Sequence, residues 1–273
     1  MKRNSAKTII FTSIMLVISI IFIFPFYTML MMSSQFSEDI YKGIPLFLGG
    51  YFIQNIKTVF AANFQVFYLN SFIVASCATI LSVFVSTITG YSFAKYKFRF
   101  KKQLFSFILI TMMVPSQLGL VAFVVEMKQI GWMNTFLPLI IPAAATGFGV
   151  YWMKNYIESS LPIELIESGR IDGASEPRIL FSISLACIKP AIFALGMMNF
   201  VTSWNSFLVP LVILNKLSTY TIPIGIITLN SAYRTDIAAR IMALVIGTIP
   251  LVIIFISSSK SFISGITMGA IKG

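Results

Sequence analysis

Histidine is missing from this sequence of 273 residues, and cysteine occurs only twice, as Cys77 and Cys187. Without histidine, no Ser-His or Cys-His nucleophilic pair can form. Two cysteines in or beside apolar runs also support neither a zinc site nor a disulfide framework. The sequence contains no G-x-x-x-x-G-K-[ST] phosphate-binding loop. We therefore expect no enzyme, with no catalytic residue, no metal ligand and no cofactor held by this chain.

Charge is also scarce, because charged residues make up only 11% of the chain and hydrophobic residues make up 57%. A soluble domain carries about 25% charged residues. Apolar runs of about 18 residues or more cross the roughly 30 Å hydrocarbon core of a bilayer. The sequence predicts an all-α integral membrane protein in which residues 1–273 form a single transmembrane domain. Its six predicted spans are residues 8–32, 68–93, 104–126, 135–153, 188–213 and 241–259.

The Lys and Arg residues are divided unevenly between the two predicted sides of the membrane. With the N-terminus in the cytoplasm, the outer side has six of the twenty: Lys42, Lys57, Lys128, Lys216, Arg234 and Arg240. The remaining fourteen fall inside, which predicts that both termini are cytoplasmic.

Aromatic and basic residues alternate over 91–102, a pattern that can bind single-stranded nucleic acid. This segment joins two predicted spans, so we favour a membrane interface and expect no nucleic-acid partner.

Ionisable residues are nearly absent from the predicted spans, where secondary transporters usually carry them. Glu126, Lys154 and Arg240 lie only at the ends or borders of spans. If the chain moves a solute uphill, the energy must come from another subunit. A passive channel satisfies the same observation. A secondary transporter or channel subunit for a small polar solute therefore remains an alternative.

Two spans carry polar or small residues in regular patterns. The fifth has a polar stripe of Asn199, Thr202, Ser203 and Ser206, with Asn205 alongside. These side chains either line a translocation pathway or bond between helices, and the sequence favours neither. The second span has a small-residue face at spacings of three and four, which is typical of close helix packing in lipid. Its members are Ser71, Ala75, Ala78, Thr79, Ser82, Ser86, Thr89 and Gly90.

The segment 154–190 joins the fourth and fifth predicted spans. Pro162 suits a first helical turn, Asp172-Gly173 indicates a helix stop, and Ser175 is placed to cap a second helix. We predict two short helices with a glycine corner, projecting into the cytoplasm. A helix lying on the bilayer is the alternative, but it would carry Lys and Arg on its polar face. This segment instead holds five of the nine acidic residues: Glu158, Glu164, Glu167, Asp172 and Glu176.

The same segment resembles the ABC importer permeases. Glu167 to Ala174, with the sequence E-S-G-R-I-D-G-A, is similar to the family signature E-A-A-x-x-D-G-A. Further motifs resemble the shorter, six-span permease of the maltose-type carbohydrate branch, so the similarity covers most of the chain from about Pro25 onward. These motifs lie at Tyr68–Ser71, Gly90–Lys95, Met113–Gln117, Ser203–Pro210 and Gly265–Gly273.

The resemblance implies a coupling helix that docks into a cleft on a cytoplasmic ATPase subunit. It also implies a second homologous permease, two ATPase subunits that bind the ATP, an external solute-binding protein and a sugar or oligosaccharide solute. The expected location is the cytoplasmic membrane of a bacterium or archaeon. A permease for a polyol or glycerol phosphate is the alternative within the family. The coupling residues that it implies are Glu164, Glu167, Gly169, Asp172, Gly173 and Ala174.

Three features depart from the family pattern. Ser168-Gly169 replaces the usual Ala-Ala, Pro177 is atypical, and Ala186 stands where the family usually has proline. Glycine costs roughly 1 kcal/mol in a helix interior relative to alanine. We therefore expect a looser coupling helix than the family signature would give.

Overall fold

The computed structural model describes the backbone of residues 5–229 and 236–270, and the side chains of residues 8–229 and 236–257. The described chain is helical, with no strand in either range. Its α-helices are α1 Ser5–Ser33, α2 Phe52–Ala61, α3 Phe64–Lys95, α4 Lys101–Met113, α5 Leu120–Gln129, α6 Leu137–Ile140, α7 Gly147–Ser160, α8 Ile163–Ile171, α9 Glu176–Arg178, α10 Leu185–Trp204, α11 Leu208–Ile213, α12 Ile222–Ile227 and α13 Ile237–Ala270. Short 3₁₀ helices cover Asp39–Lys42, Ser116–Gly119, Ile141–Ala145 and Leu217–Thr219, and a π-helix covers Ile179–Ser184.

Four helical stretches of the described chain are long and apolar enough to cross a membrane. They are Thr8–Ser33, Phe64–Lys95, Glu176–Trp204 and Ile237–Ser257. These stretches correspond to the first, second, fifth and sixth predicted spans. The fifth lies further toward the N-terminus than predicted. It ends at Trp204 because Asn205 leaves the helical conformation.

The third predicted span, 104–126, is not a continuous helix. The stretches Lys101–Met113 and Ser116–Gln129 meet at an angle of 85° and together count as at most one broken span. Pro115 lies at the break, and Val114 before it has an extended backbone. A residue that precedes proline is disfavoured in the α region, which explains where α4 ends.

The fourth predicted span, 135–153, is divided into α6, a 3₁₀ helix and α7. Pro138 and Pro142 each lack a backbone N–H, which favours short helical pieces. Thr146 is extended and starts α7 by accepting a hydrogen bond from the Gly149 N–H at 3.2 Å. The apolar run is where we predicted it, but it does not form one long helix. The total of six spans stays a prediction.

The described residues pack as two compact units. The first comprises the chain up to Gln65 together with Gly225–Ile249, and the second comprises Val66–Ile224 together with the chain from Pro250 onward. Both the predicted polar stripe and the predicted coupling segment belong to the second unit. The site is therefore described within that unit.

The first unit is tied together by buried polar contacts after α1. The Asn55 side-chain amide donates to the backbone oxygens of Ser33 at 2.8 Å and Gln35 at 2.9 Å. The Ser37 hydroxyl donates to Asp236 Oδ1 at 2.7 Å and accepts from the Ala238 N–H at 3.1 Å. These bonds satisfy backbone groups at the end of α1 and the start of α13.

The core of the second unit depends on a close approach of α3 to α7. A Cβ added to Gly90 on α3 would lie 2.6 Å from the Met153 Cβ and 2.8 Å from the Lys154 backbone nitrogen. A Cβ added to Gly149 on α7 would lie 2.2 Å from the Ser86 Oγ. The prediction that the small-residue face packs closely against a neighbouring helix is confirmed at Ser86 and Gly90.

Candidate functional site

A cavity of about 700 Å³ lies in the second unit, between α3, α5, α6, the 3₁₀ helix that follows α6, and α10. Small-molecule sites usually have volumes of about 300–1,000 Å³. The wall combines apolar side chains such as Val74 and Phe123 with hydroxyl groups, an amide and one carboxylate. A cavity of this size and lining can hold a small polar solute.

The polar stripe predicted on the fifth span faces this cavity. Four of its members, Asn199, Thr202, Ser203 and Ser206, line the wall. Asn205 is not among the lining side chains, and its amide instead donates to the Val201 backbone oxygen at 2.9 Å. Asn205 is the C-cap residue of α10, and its part in a translocation pathway stays a prediction.

Asn199 both bonds between helices and lines the cavity. Its amide donates to the Ser82 Oγ on α3 at 2.9 Å, and the Ser82 Oγ lies 3.5 Å from the Thr146 Oγ1. All three side chains also line the cavity. Asn199 therefore bonds between helices and contributes a polar group to the wall at the same time.

Two contributions to the cavity were missed by the sequence analysis. Ser71, Ala78 and Ser82 of the small-residue face line the wall, although we predicted only a packing role for them. Glu126 also lines it, although we placed this residue at an outer helix end. The hydroxyl groups among the small residues of α3 could have indicated from the sequence that this face lines a polar wall. Glu126 carried no such signal, because its position follows from the 85° bend before α5.

The predicted coupling segment forms α8, α9 and the π-helix, and its corner is glycine-dependent. The Ala174 N–H donates to the Gly169 oxygen at 2.9 Å and the Gly173 N–H to the Arg170 oxygen at 3.0 Å. With Gly173 at φ +76°, this is a Schellman motif, which ends a helix and satisfies its last carbonyls. The glycine corner is confirmed. Ser175 is the N-cap residue of α9, as predicted, but its side chain makes no cap bond.

The six implied coupling residues do not share one surface. The exposed ones are Glu164, Glu167, Asp172 and Gly173, while Ala174 is half-buried. Gly169 is buried against the π-helix, so it packs α8 onto the protein and does not present a docking surface. Ile171 is 85% exposed beside this acidic surface.

A polar cluster ties this segment to the end of α3. The Arg170 Nε lies 2.6 Å from Glu176 Oε1, and the Tyr96 hydroxyl donates to Glu176 Oε2. Burial raises the pKa of Tyr96 to about 12, and the bond to Glu176 acts in the same direction. Tyr96 therefore stays protonated and remains a donor at physiological pH. The Lys95 ammonium donates to the Leu161 backbone oxygen nearby.

Replacing Gly169 tests the expectation of a looser coupling helix. A Cβ there would lie 2.9 Å from the Ile183 Cδ1, the flexible end of its side chain. We expect Gly169→Ala alone to change stability by less than about 1 kcal/mol, since helix propensity and crowding oppose each other. In an Ile183→Val background, which removes that methyl group, the same change should stabilise by up to about 1 kcal/mol. Thermal unfolding of the purified chain measures these changes in stability. A double variant that is no more stable than Ile183→Val alone would contradict the expectation.

Four helical stretches long and apolar enough to cross a membrane, and a cavity with polar groups in its wall, are the features of a polytopic membrane protein. The chain belongs to the family of the binding-protein-dependent transport system inner membrane component, whose model matches residues 82–267. The predicted resemblance to ABC importer permeases is thereby confirmed, and the alternative of a secondary transporter or channel loses its support.

Characterised relatives match nearly the whole chain. The arabinooligosaccharides transport system permease protein AraQ of Halalkalibacterium halodurans is 30% identical over 94% of this chain and 93% of its own length. The trehalose/maltose transport system permease protein MalG of Thermococcus litoralis is 31% identical over 100% of both chains. A crystal structure of a bacterial ABC transporter involved in the import of the acidic polysaccharide alginate shares the fold. Its TM-score is 0.80 at 19% identity, over 96% of this chain and 99% of that one.

Proposed function

We propose that this chain is one of two permease subunits of an ATP-driven importer of a sugar or oligosaccharide. In this proposal the chain has six spans, both termini lie in the cytoplasm and the segment 154–190 faces the ATPase subunits. The names of relatives such as AraQ and MalG support a carbohydrate solute. An external solute-binding protein delivers it, in the cytoplasmic membrane of a bacterium or archaeon. ATP binds to the ATPase subunits, and this chain holds no cofactor.

The observation that carries the proposal is the two-sided geometry of α8. Its inner side, with Ile166 and Gly169, is buried in the second unit. Its outer side presents Glu167, Ile171 and Asp172. Neither of the two acids makes an ion pair with another described residue. A helix that is firmly packed on one side and presents an acidic and apolar surface on the other is suited to docking against a basic, partly apolar cleft.

The transport step follows from how α8 is connected. Movement of the ATPase subunits pushes α8, and the buried Ile166 passes this movement to the π-helix and α10. The bond between Glu176 and Tyr96 passes it to the end of α3. Both α3 and α10 line the cavity. A rigid-body shift of these helices would open the cavity to one side of the membrane and then to the other.

Gly173→Pro tests the proposed role of the corner. Proline fixes φ near −65° and has no N–H, whereas Gly173 has φ +76° and donates to the Arg170 oxygen. We expect a cost of about 3 kcal/mol to the corner and a loss of ATPase co-purification, with normal insertion into the membrane. Gly173→Asn is the control, because asparagine tolerates this conformation. ATPase association that is equal in both variants would contradict the proposal.

A further inference from the structure

The charge of the cavity wall is unbalanced. Glu126 is the one charged side chain among the described residues that line it, and no Lys or Arg of the described chain does so. Glu126 makes no ion pair with any described residue. An unpaired carboxylate gives the wall a net negative charge, which attracts cations and repels anions.

A second observation is a buried hydroxyl group in the cavity wall that lacks a partner in the described part of the chain. Thr221 lines the wall and is only 4% exposed, and its Oγ1 has no hydrogen-bond partner among the described residues. Buried hydroxyl groups nearly always have a partner. The hydroxyls of Thr202, Ser203 and Ser206 lie on the same wall. The Thr202 hydroxyl already donates to the Met198 backbone oxygen at 2.8 Å and offers a ligand an acceptor. The serine hydroxyls can donate and accept, so the wall suits a ligand that carries hydroxyl groups.

We propose that the cavity passes uncharged, polyhydroxylated solutes and excludes anionic ones, and that Glu126 sets this selectivity. The inference rests on the proposed function, in which the solute is a carbohydrate, and it narrows that class to neutral sugars. The Glu126 carboxylate accepts hydrogen bonds from sugar hydroxyls and repels a uronate or a phosphate. The alginate importer acts on an acidic polysaccharide and shares the fold, so the fold does not set the charge of the solute.

The field of Glu126 can be measured with two thiol reagents that differ mainly in charge. Ser203→Cys is introduced into a Cys77→Ala/Cys187→Ala chain, so that the only thiol lies on the cavity wall. The full-length chain in permeabilised membranes is treated with the trimethylammonium-ethyl or the sulfonatoethyl methanethiosulfonate. The rate ratio is normalised to the ratio for 2-mercaptoethanol. We expect the cationic reagent to react about tenfold faster than the anionic reagent after this normalisation. The rate ratio should fall toward one in Glu126→Gln and should favour the anionic reagent in Glu126→Lys.

The control is Glu158→Gln, which removes a carboxylate that does not line the cavity, and its rate ratio should match that of the parent chain. A ratio that is insensitive to Glu126→Gln would overturn the inference. A cysteine at position 203 that reacts with neither reagent would also overturn it, because the cavity would then be closed to water. Neither result depends on ATP. Uptake driven by an ion gradient would refute the proposed function and leave the thiol result unchanged.

Discussion

Glu167→Lys is expected to abolish ATP-driven uptake while the chain still inserts into the membrane and folds. Glu167 lies on the exposed side of α8, and no described residue forms an ion pair with it. The substitution therefore breaks no internal contact and should change stability by less than about 0.5 kcal/mol. At a docking surface, by contrast, a like charge against a basic partner costs several kcal/mol. We expect ATPase co-purification to fall at least about tenfold.

The matched control is Glu158→Lys, which reverses the charge of another exposed acid on the neighbouring helix α7. It breaks the 2.7 Å pair with Lys154, an exposed contact within one helix worth about 0.3–0.5 kcal/mol. Uptake and ATPase association should both persist in this variant. If Glu167→Lys and Glu158→Lys behave alike, the exposed side of α8 is not the docking surface.

Gly90→Ala is expected to destabilise the chain strongly, because Gly90 lies where α3 meets α7. The added Cβ would meet the Met153 Cβ at 2.6 Å and the Lys154 backbone nitrogen at 2.8 Å. Neither atom can move without a shift of α7, so we expect destabilisation by about 3 kcal/mol. In a chain of this size that corresponds to a fall of about 10 °C in the unfolding temperature. Thermal unfolding of the detergent-solubilised chain measures it.

Gly119→Ala is the control for helix packing. A Cβ at Gly119 meets nothing within 4 Å, and Gly119 has a negative φ. The unfolding temperature of the Gly119→Ala variant should therefore stay within about 2 °C of the value for the parent chain. Equal unfolding temperatures for the Gly90 and Gly119 variants would show that α3 and α7 are not in close contact.

The fold was predictable where the sequence carries one uninterrupted apolar run. Such runs gave the first, second and sixth spans to within a few residues, because burial of apolar surface in lipid depends on composition and length. It was less predictable where proline interrupts a run. Pro115 and Pro142 lie in apolar sequence that hydropathy alone reads as continuous. Whether a proline kinks or ends a helix depends on tertiary contacts that satisfy the freed backbone groups.

The candidate site was predictable only in part for a related reason. The polar stripe on α10 and the corner at Gly173 are local patterns, and the structure places both as their spacing indicates. Glu126 joins the cavity through the bend between α4 and α5, which no local pattern specifies. Gly169 also allows the close approach of Ile183, a contact between separate helices that no local pattern specifies.

The most direct test of the ATP-driven importer is the energy dependence of uptake. The complex that co-purifies with this chain is reconstituted into vesicles, and accumulation of the sugar carried by its solute-binding protein is followed. We expect accumulation to require ATP hydrolysis and to continue when ionophores collapse the ion gradients. Accumulation that survives ATP depletion but stops when the gradients collapse would contradict the account.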